Sequence, residues 1–215
     1  MHIQIITLFP EMFEPVLNSS MMKIARNKKL VSFEYLDLRD FGLGLRKSVD
    51  DTPYGGGNGM VFMIEPLVSA IEKAKSSDPD AEVLLPTPRG KKYSQQEANK
   101  LSNLKGMILI CPHYEGYDER VTSWVDRQYS VGDYVLTGGE LPTMVIIDSV
   151  VRLIPGVLGG QNSAIDESFQ GDNNQVEYTQ YTRPENFRGL KVPGVLLSGH
   201  HKNIENWRLA NKRKV

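Results

Sequence analysis

Apolar and polar positions along the chain follow two periods, which together predict strands alternating with helices. Apolar or alternating runs bounded by turn residues are typical of strands, as in HIQIITLF, VSFEYLDL, AEVLLP, MILICP and QYSVGDYVLT. Apolar residues at helical spacing follow them, as in IEPLVSAIEKAK, SQQEANKLSNL and ELPTMVIIDSVVRLI. We also expect one helix from Pro10 to Met21 and a turn at TPRGKKY. This order predicts an α/β fold with a mostly parallel sheet flanked by helices.

The pattern changes after Pro155, where the chain becomes polar and rich in glycine. Loops longer than about 12–15 residues are uncommon inside compact domains and are usually functional or disordered. We therefore predict a catalytic α/β domain over residues 1–159 and a flexible linker or lid over 160–181. A short basic helical domain is expected over 182–215.

Charge divides the chain at nearly the same place. The net charge is −1, yet the segment from Thr182 to Val215 contains eight Lys or Arg against two Glu. The remainder carries −7. An acidic body with a basic appendage is suited to a partner that carries phosphates, although a solvated basic helix explains the charge equally well.

Cysteine usage and apolar run length restrict the protein class. Cys111 is the only cysteine, so no internal disulfide forms and a reducing, cytoplasmic compartment is expected. No apolar run approaches the roughly 20 residues that cross a bilayer, so we expect no membrane association. The four histidines and the lone cysteine lack metal-ligand spacing, so no metal site is predicted.

Two glycine-rich turns are candidates for ligand contact. Gly138 and Gly139 follow a predicted strand and open a helix, but they match neither the dinucleotide fingerprint nor the phosphate-binding P-loop. The run TPYGGGNGM holds four glycines, which permit positive φ and close backbone approach. Because charged residues precede this run, we favour a ligand-approach role over a plain surface loop.

Spacing alone assigns no catalytic residue. Arg152 sits at a helix end, where arginine usually pairs with a carboxylate for structural reasons. Asp166 and Glu167 lie in a glycine-rich segment, where acidic pairs are usually solvated.

Several motifs together resemble one family, the bacterial tRNA (guanine-N1)-methyltransferases of the SPOUT superfamily. The motifs occur in the family's order and extend to about Trp207: LFPEMF, DDTPYGGGNGM, HYEGYDERV, VGDYVLTGGELP, RLIPGVLG and QYTRP. The resemblance implies a deep trefoil knot, a homodimer whose active site uses both subunits, and S-adenosylmethionine bound in the knot. It also implies methylation at N1 of the guanine immediately 3′ of the tRNA anticodon, with possible assistance from Mg²⁺.

The resemblance also assigns roles to individual residues. The expected cofactor-binding residues lie in three segments: Pro86, Thr87, Pro88, Pro112, Tyr114, Glu115, Gly116, Val131, Gly132, Asp133, Tyr134, Val135, Leu136, Gly138, Gly139 and Pro142. The glycines are expected to let the backbone close round the cofactor. For the tRNA we expect contacts at Asp50, Gly59, Arg183, Lys202 and Arg208.

The catalytic arginine of the family falls on Arg152, and its catalytic carboxylate falls on Glu167, with Asp166 as the alternative base. A carboxylate can remove the N1 proton of guanine, and a guanidinium facing O6 stabilises the charge that develops there. One departure from the family pattern is Pro112, which has no N–H, so cofactor contacts there must use its carbonyl or its ring.

Two alternative functions remain open at this point. One is a knotted RNA methyltransferase that acts on a ribose 2′-hydroxyl or another base. The other is a non-catalytic RNA-binding relative, which is expected not to bind S-adenosylmethionine.

Overall fold

The chain forms two compact units, Met1–Gly159 and Gly160–Val215, in a computed structural model that describes residues 1–158, 168–169 and 175–214. The strands of the first unit are β1 (His2–Thr7), β2 (Ser32–Asp37), β3 (Asp50–Asp51), β4 (Val61–Phe62), β5 (Glu82–Lys92), β6 (Gly106–Ile110) and β7 (Arg127–Ser130). Five of them form one sheet in the order β2-β1-β6-β5-β7. Every neighbouring pair in this sheet is parallel, as the alternation of strands and helices predicts.

Helices separate most of these strands. They are α1 (Glu14–Leu17), α2 (Ser20–Asn27), α3 (Ile64–Ser77), α4 (Gln95–Leu101) and α5 (Glu140–Val151). Short 3-10 helices occupy Pro10–Met12, Leu38–Phe41 and Glu119–Trp124.

The sheet is covered on both faces, which explains why β1, β6 and the first half of β5 read as nearly continuous apolar runs. Successive side chains of a strand point to opposite faces. In β1, Ile3 and Ile5 accordingly pack with residues of α2, α4 and α5, whereas Ile6 packs with residues of α3. The prediction of helices on both faces is therefore confirmed.

Three local predictions were wrong. The expected strand QYSVGDYVLT pairs with β5 only as far as Ser130, and the rest is a loop in which Val135 is 90% exposed. Strand β5 continues to Lys92 across an irregularity after Pro86, where a turn was expected. The first helix is interrupted before Ser20, whose φ of 45° is incompatible with a continuous helix.

The second unit is small and contains α6 (Gly194–Leu197) and α7 (His201–Ala210) with two short antiparallel strand pairs. Strand β8 (Gln175–Val176) pairs with β11 (Arg213–Lys214), and β9 (Asn186–Phe187) pairs with β10 (Leu190–Lys191). The helices were predicted and the strand pairs were not. The knot, the linker over 160–181 and the domain over 182–215 stay predictions. Within the described ranges no helix is long and apolar enough to span a bilayer.

Glu97 is a buried carboxylate that joins α4 to the sheet. Its side chain is 5% exposed and accepts hydrogen bonds from Lys91 Nζ, Lys100 Nζ and the Tyr129 hydroxyl, each at 2.8 Å. The two lysines, Lys100 first, are the main cause that lowers the pKa of Glu97 to about 2. The ionised carboxylate therefore stabilises the folded chain.

We predict that Glu97→Gln lowers the free energy of unfolding by roughly 2 kcal/mol at pH 7. Because the folded-state pKa is depressed, this stabilisation is complete above pH 4.5, the ordinary value, and is lost as the pH falls towards 2. Urea unfolding should therefore show a smaller deficit at pH 3 than at pH 7, with the exposed Glu72→Gln as control. An equal deficit at both pH values would show that the charge of Glu97 is not what stabilises the fold.

Candidate active site

A cavity of about 380 Å³ opens at the carboxyl ends of β6 and β7 and beside the irregularity of β5 after Pro86. It is lined by residues 86–89, 112–117, 119, 129–132, 134–139 and 142. In open parallel sheets this edge is where ligands bind, because the loops after several strands converge there. The volume falls in the range of small-molecule and cofactor sites, roughly 300–1,000 Å³.

The first wall of the cavity is the sharply turned segment that follows β6. Tyr114 and Gly116 both have positive φ, 59° and 133°. The Gly116 N–H donates to the His113 carbonyl at 3.2 Å, and the Glu115 N–H donates to the Met60 carbonyl at 3.0 Å. A conformation that only glycine adopts readily is thus held in place by backbone hydrogen bonds.

The second wall is the turn that opens α5, and it lies directly against the first. The Gly139 N–H donates to the Pro112 carbonyl at 2.6 Å. A Cβ on Gly139 would lie 2.3 Å from Pro112 Cδ and 2.6 Å from Pro112 N. A Cβ on Gly138 would lie 2.6 Å from His113 Nδ1 and 2.5 Å from Glu140 Oε2. Both glycines are therefore required for the approach of one wall to the other.

This contact gives Pro112 a structural role, because its carbonyl accepts the Gly139 N–H and joins the two walls. A carbonyl oxygen has two lone pairs, and Pro112 also lines the cavity. The expected contact of its carbonyl or its ring with the cofactor stays a prediction.

The third wall is the loop after β7 that was expected to be a strand. Its Tyr134 ring folds back over Gly132, where a Cβ would lie 2.3 Å from the ring, and the Tyr134 hydroxyl donates to the Val131 carbonyl at 3.3 Å. Asp133 is not among the residues that line the cavity, and its carboxylate accepts a hydrogen bond from Lys92 Nζ at 3.1 Å. The apolar residues of this loop face the cavity or solvent, not a neighbouring strand.

A buried polar group lies behind the walls. The Glu140 carboxylate, at the start of α5, accepts from the Thr7 hydroxyl at 3.0 Å and is favoured there by the helix N-terminus. Its other oxygen is 3.8 Å from Nδ1 of His113. The His113 ring packs against the rings of Phe9 and Tyr114 at 5.0 and 5.3 Å. Among the described residues, no hydrogen-bond partner reaches this buried Nδ1.

A hydrogen bond joins the first wall to β5, because the Tyr117 hydroxyl donates to Thr87 Oγ1 at 3.2 Å. Burial, and then the negative charge of Asp50, raises the pKa of Tyr114. Burial also raises the pKa of the Cys111 thiol, so this cysteine stays protonated and does not act as a nucleophile.

Every residue that the resemblance assigned to the cofactor lines this cavity, except Asp133. Sequence reasoning missed several other lining residues: Arg89, His113, Tyr117, Glu119, Tyr129, Ser130 and Thr137. All of them adjoin the assigned segments. The rule that ligands bind at the carboxyl ends of parallel strands would have included Tyr129 and Ser130, the last residues of β7.

Arg152 is not part of the cavity wall. It caps the C-terminal end of α5, where its N–H donates to the Asp148 carbonyl at 3.2 Å. The helix carries it about 20 Å from Gly139, at about 1.5 Å per residue. Asp166 and Glu167, the two candidate bases, lie outside the described residues.

The two tRNA candidates of the first unit lie beside the cavity. Asp50 is in β3 and, through its charge, raises the pKa of Tyr114. Gly59 has a φ of 78°, and a Cβ there would lie 2.5 Å from Glu115 Cγ. The glycine-rich segment that contains Gly59 is therefore packed against the first wall, and its expected ligand-approach role stays a prediction.

The three tRNA candidates of the second unit are exposed cations. Arg183 precedes Pro184, and Lys202 and Arg208 lie on α7. The Arg208 guanidinium lies over the Tyr178 ring, 5.0 Å from its centroid.

Metal binding has no support in the described part of the chain. Within those ranges there is no group of three or more His, Cys, Asp or Glu side chains that could hold an ion. No step below is therefore assigned to Mg²⁺.

Similarity to known proteins agrees with the geometry. Residues 1–215 match the family described as tRNA (Guanine-1)-methyltransferase TrmD. A tRNA (guanine-N(1)-)-methyltransferase of Geobacillus kaustophilus is 49% identical over 209 residues, 97% of this chain and 85% of the relative. The protein of the same name from Halalkalibacterium halodurans is 52% identical over 210 residues, with the same coverage.

A solved structure is also similar throughout. The tRNA (m1G37) methyltransferase from Aquifex aeolicus has a TM-score of 0.82 and 38% sequence identity, over 98% of this chain and 88% of that chain. By sequence and by fold, the chain belongs to the tRNA (guanine-1)-methyltransferase family.

Proposed function

We propose that this chain transfers the methyl group of S-adenosylmethionine to N1 of the guanine immediately 3′ of the tRNA anticodon, in the cytoplasm. The observation that carries the proposal is the cavity at the strand ends. Its walls are the segments that the family motifs assign to the methyl donor, with the exception of Asp133. Relatives that share about half of its residues are named tRNA (guanine-N(1)-)-methyltransferases.

The cavity fits S-adenosylmethionine in size and chemistry. Its apolar walls, among them Pro86, Val135 and Pro142, suit the adenine ring, and strand-end backbone groups can read its polar edge. A Cβ on Gly116 would meet no atom within 4 Å, so space remains at the turned segment.

Bound there, S-adenosylmethionine supplies an electrophilic methyl group on its sulfonium. The residues of the chain prepare the acceptor. Guanine N1 carries a proton and is a poor nucleophile, so Glu167 accepts that proton as the general base, with Asp166 as the alternative. The Arg152 guanidinium stabilises the negative charge that develops on O6, an interaction strongest in the transition state.

We infer that two copies of the chain form the complete site. A single chain places Arg152 about 20 Å along α5 from the Gly139 turn. The same helix exposes Leu141 and Val145, each 51% accessible and one turn apart. Apolar side chains repeated on one helix face are suited to burial against a second copy. A homodimer would thereby bring Arg152 of one copy to the cavity of the other.

The second unit is proposed to bind the tRNA backbone. Arg183, Lys202 and Arg208 are exposed and belong to the basic segment of the chain. Cations on one small unit suit the sequence-independent contacts that phosphates make.

Substitution of the target guanine tests the proposed function. We predict that a tRNA transcript with guanine immediately 3′ of the anticodon accepts one methyl group, and that the transcript with adenine there accepts none. Nuclease digestion and mass spectrometry of the product should find the methyl group on guanine N1. Equal methylation of both transcripts, or a methylated ribose, would contradict the proposal.

Gly139→Ala tests the role of the cavity in cofactor binding. The added Cβ would overlap Pro112, so the two walls must separate, and such overpacking typically costs about 1–3 kcal/mol. We predict that the Kd for S-adenosylmethionine, measured by calorimetric titration, rises roughly tenfold or more. Gly194→Ala is the control, because a Cβ there meets no atom within 4 Å. Unchanged affinity in Gly139→Ala would show that the cofactor binds elsewhere.

Paired substitutions identify the base. We predict that Glu167→Gln lowers kcat by about 10²–10⁴-fold, because the N1 proton then has no acceptor. Arg152→Ala should lower kcat by about 10²–10³-fold through loss of charge stabilisation at O6. Both variants should keep their affinity for S-adenosylmethionine. If Asp166→Asn is the inactive variant and Glu167→Gln is active, the proton acceptor is Asp166.

A further inference from the structure

Tyr54 is exposed to an unusual degree for an aromatic residue in a well-defined loop. Its accessibility is 102% of the reference value, and only Leu45, at 107%, is similarly exposed among the large apolar side chains of the described residues. A single exposed apolar residue is ordinary on a protein surface. What distinguishes Tyr54 is the backbone that holds it.

Four glycines give the loop after Tyr54 a specific conformation. The φ angles of Gly55, Gly56, Gly57 and Gly59 are 86°, 76°, 140° and 78°. Residues other than glycine rarely adopt φ angles in this range, so the four glycines favour this backbone conformation. The Tyr54 side chain therefore projects from a loop whose backbone conformation is set by these glycines.

The far end of this loop is fastened to the cavity. Gly59 packs against the Glu115 side chain, and the Met60 carbonyl accepts the Glu115 N–H at 3.0 Å. Two residues later, the Phe62 N–H donates to the Gly116 carbonyl at 2.9 Å. Since Glu115 and Gly116 line the cavity, Tyr54 is carried on a loop continuous with the first wall.

Two exposed cations belong to the segments around the same wall. The Asp118 N–H donates to the Phe62 carbonyl at 2.9 Å, and the Asp118 carboxylate accepts hydrogen bonds from the guanidinium of Arg120, whose side chain is 68% exposed. Arg89, which lines the cavity and pairs with Glu119 at 3.0 Å, is 76% exposed. An exposed aromatic ring on a loop that is joined to a wall with exposed guanidinium groups matches what single-stranded nucleic acid requires. Bases stack on the ring, and phosphates meet the cations.

We propose that Tyr54 is a stacking platform for an unpaired base of the tRNA anticodon loop, next to the guanine that enters the cavity. This inference rests on the proposed function and adds a residue that positions the substrate. RNA loops are recognised through bases that are splayed out and stacked on aromatic side chains. Stacking at Tyr54 fixes a neighbouring base while the target guanine leaves the stack.

Substitutions of Tyr54 separate stacking from other roles. Tyr54→Leu keeps an apolar side chain and removes the aromatic face, so tRNA binding should weaken about tenfold or more. Tyr54→Phe keeps the ring and should bind tRNA within about twofold of the wild type, which shows that the hydroxyl is not required. Leu45→Ala is the matched control, because it alters an equally exposed apolar residue of a neighbouring turn. S-adenosylmethionine affinity should be unchanged in all three.

A fluorescent base then locates the contact. With 2-aminopurine placed at each unpaired position of the anticodon loop except the target, wild-type protein should quench one position, and Tyr54→Leu should lose that quenching. Equal tRNA affinity for wild type and Tyr54→Leu would overturn the inference. So would a change of oligomeric state in Tyr54→Leu, because the ring would then face a second copy of the chain. If the wild type itself fails to methylate guanine N1, the proposed function fails, and the binding comparison still decides the role of Tyr54.

Discussion

The contact between Gly139 and Pro112 is the constraint on which the site depends. A hydrogen bond of 2.6 Å and a backbone approach that admits no Cβ join the turn before α5 to the segment after β6. The turn continues into α5, and the segment follows β6; both of these elements are buried. The sheet and the helices that cover it therefore determine the shape of the cavity.

Helices cover the sheet on both faces, and this arrangement explains why segments that are distant in sequence meet at one edge of it. Parallel strands place their carboxyl ends together, and helices on both faces require a crossover after nearly every strand. Buried Ile and Leu residues of β1, β5 and β6 hold the strand ends in register. Two connections, the segment after β6 and the loop between β7 and α5, then supply the three walls of the cavity, while α5 carries Arg152 away from it.

The sequence predicted the fold class and most strands, because alternation and apolar runs report directly on burial. It failed in DYVLT, where apolar residues line a cavity and local pattern cannot distinguish this from pairing in a sheet. The segments that the family motifs assigned to the cofactor line one cavity, although they included Asp133, which bonds Lys92 and does not line it, and did not name His113, which does. Long-range contacts such as that between Gly139 and Pro112 leave no periodic signal. The sequence identified Gly139 as a turn residue, but it did not identify Pro112 as the residue that Gly139 contacts.

Hydrogen–deuterium exchange with and without S-adenosylmethionine tests most directly the claim that these three converging segments hold the methyl donor. The account predicts that the cofactor slows amide exchange in residues 86–90, 113–117 and 131–139 together, because all three segments line the cavity and hydrogen bonds join them. Protection confined to other parts of the first unit, or no protection in these segments at saturating cofactor, would contradict it.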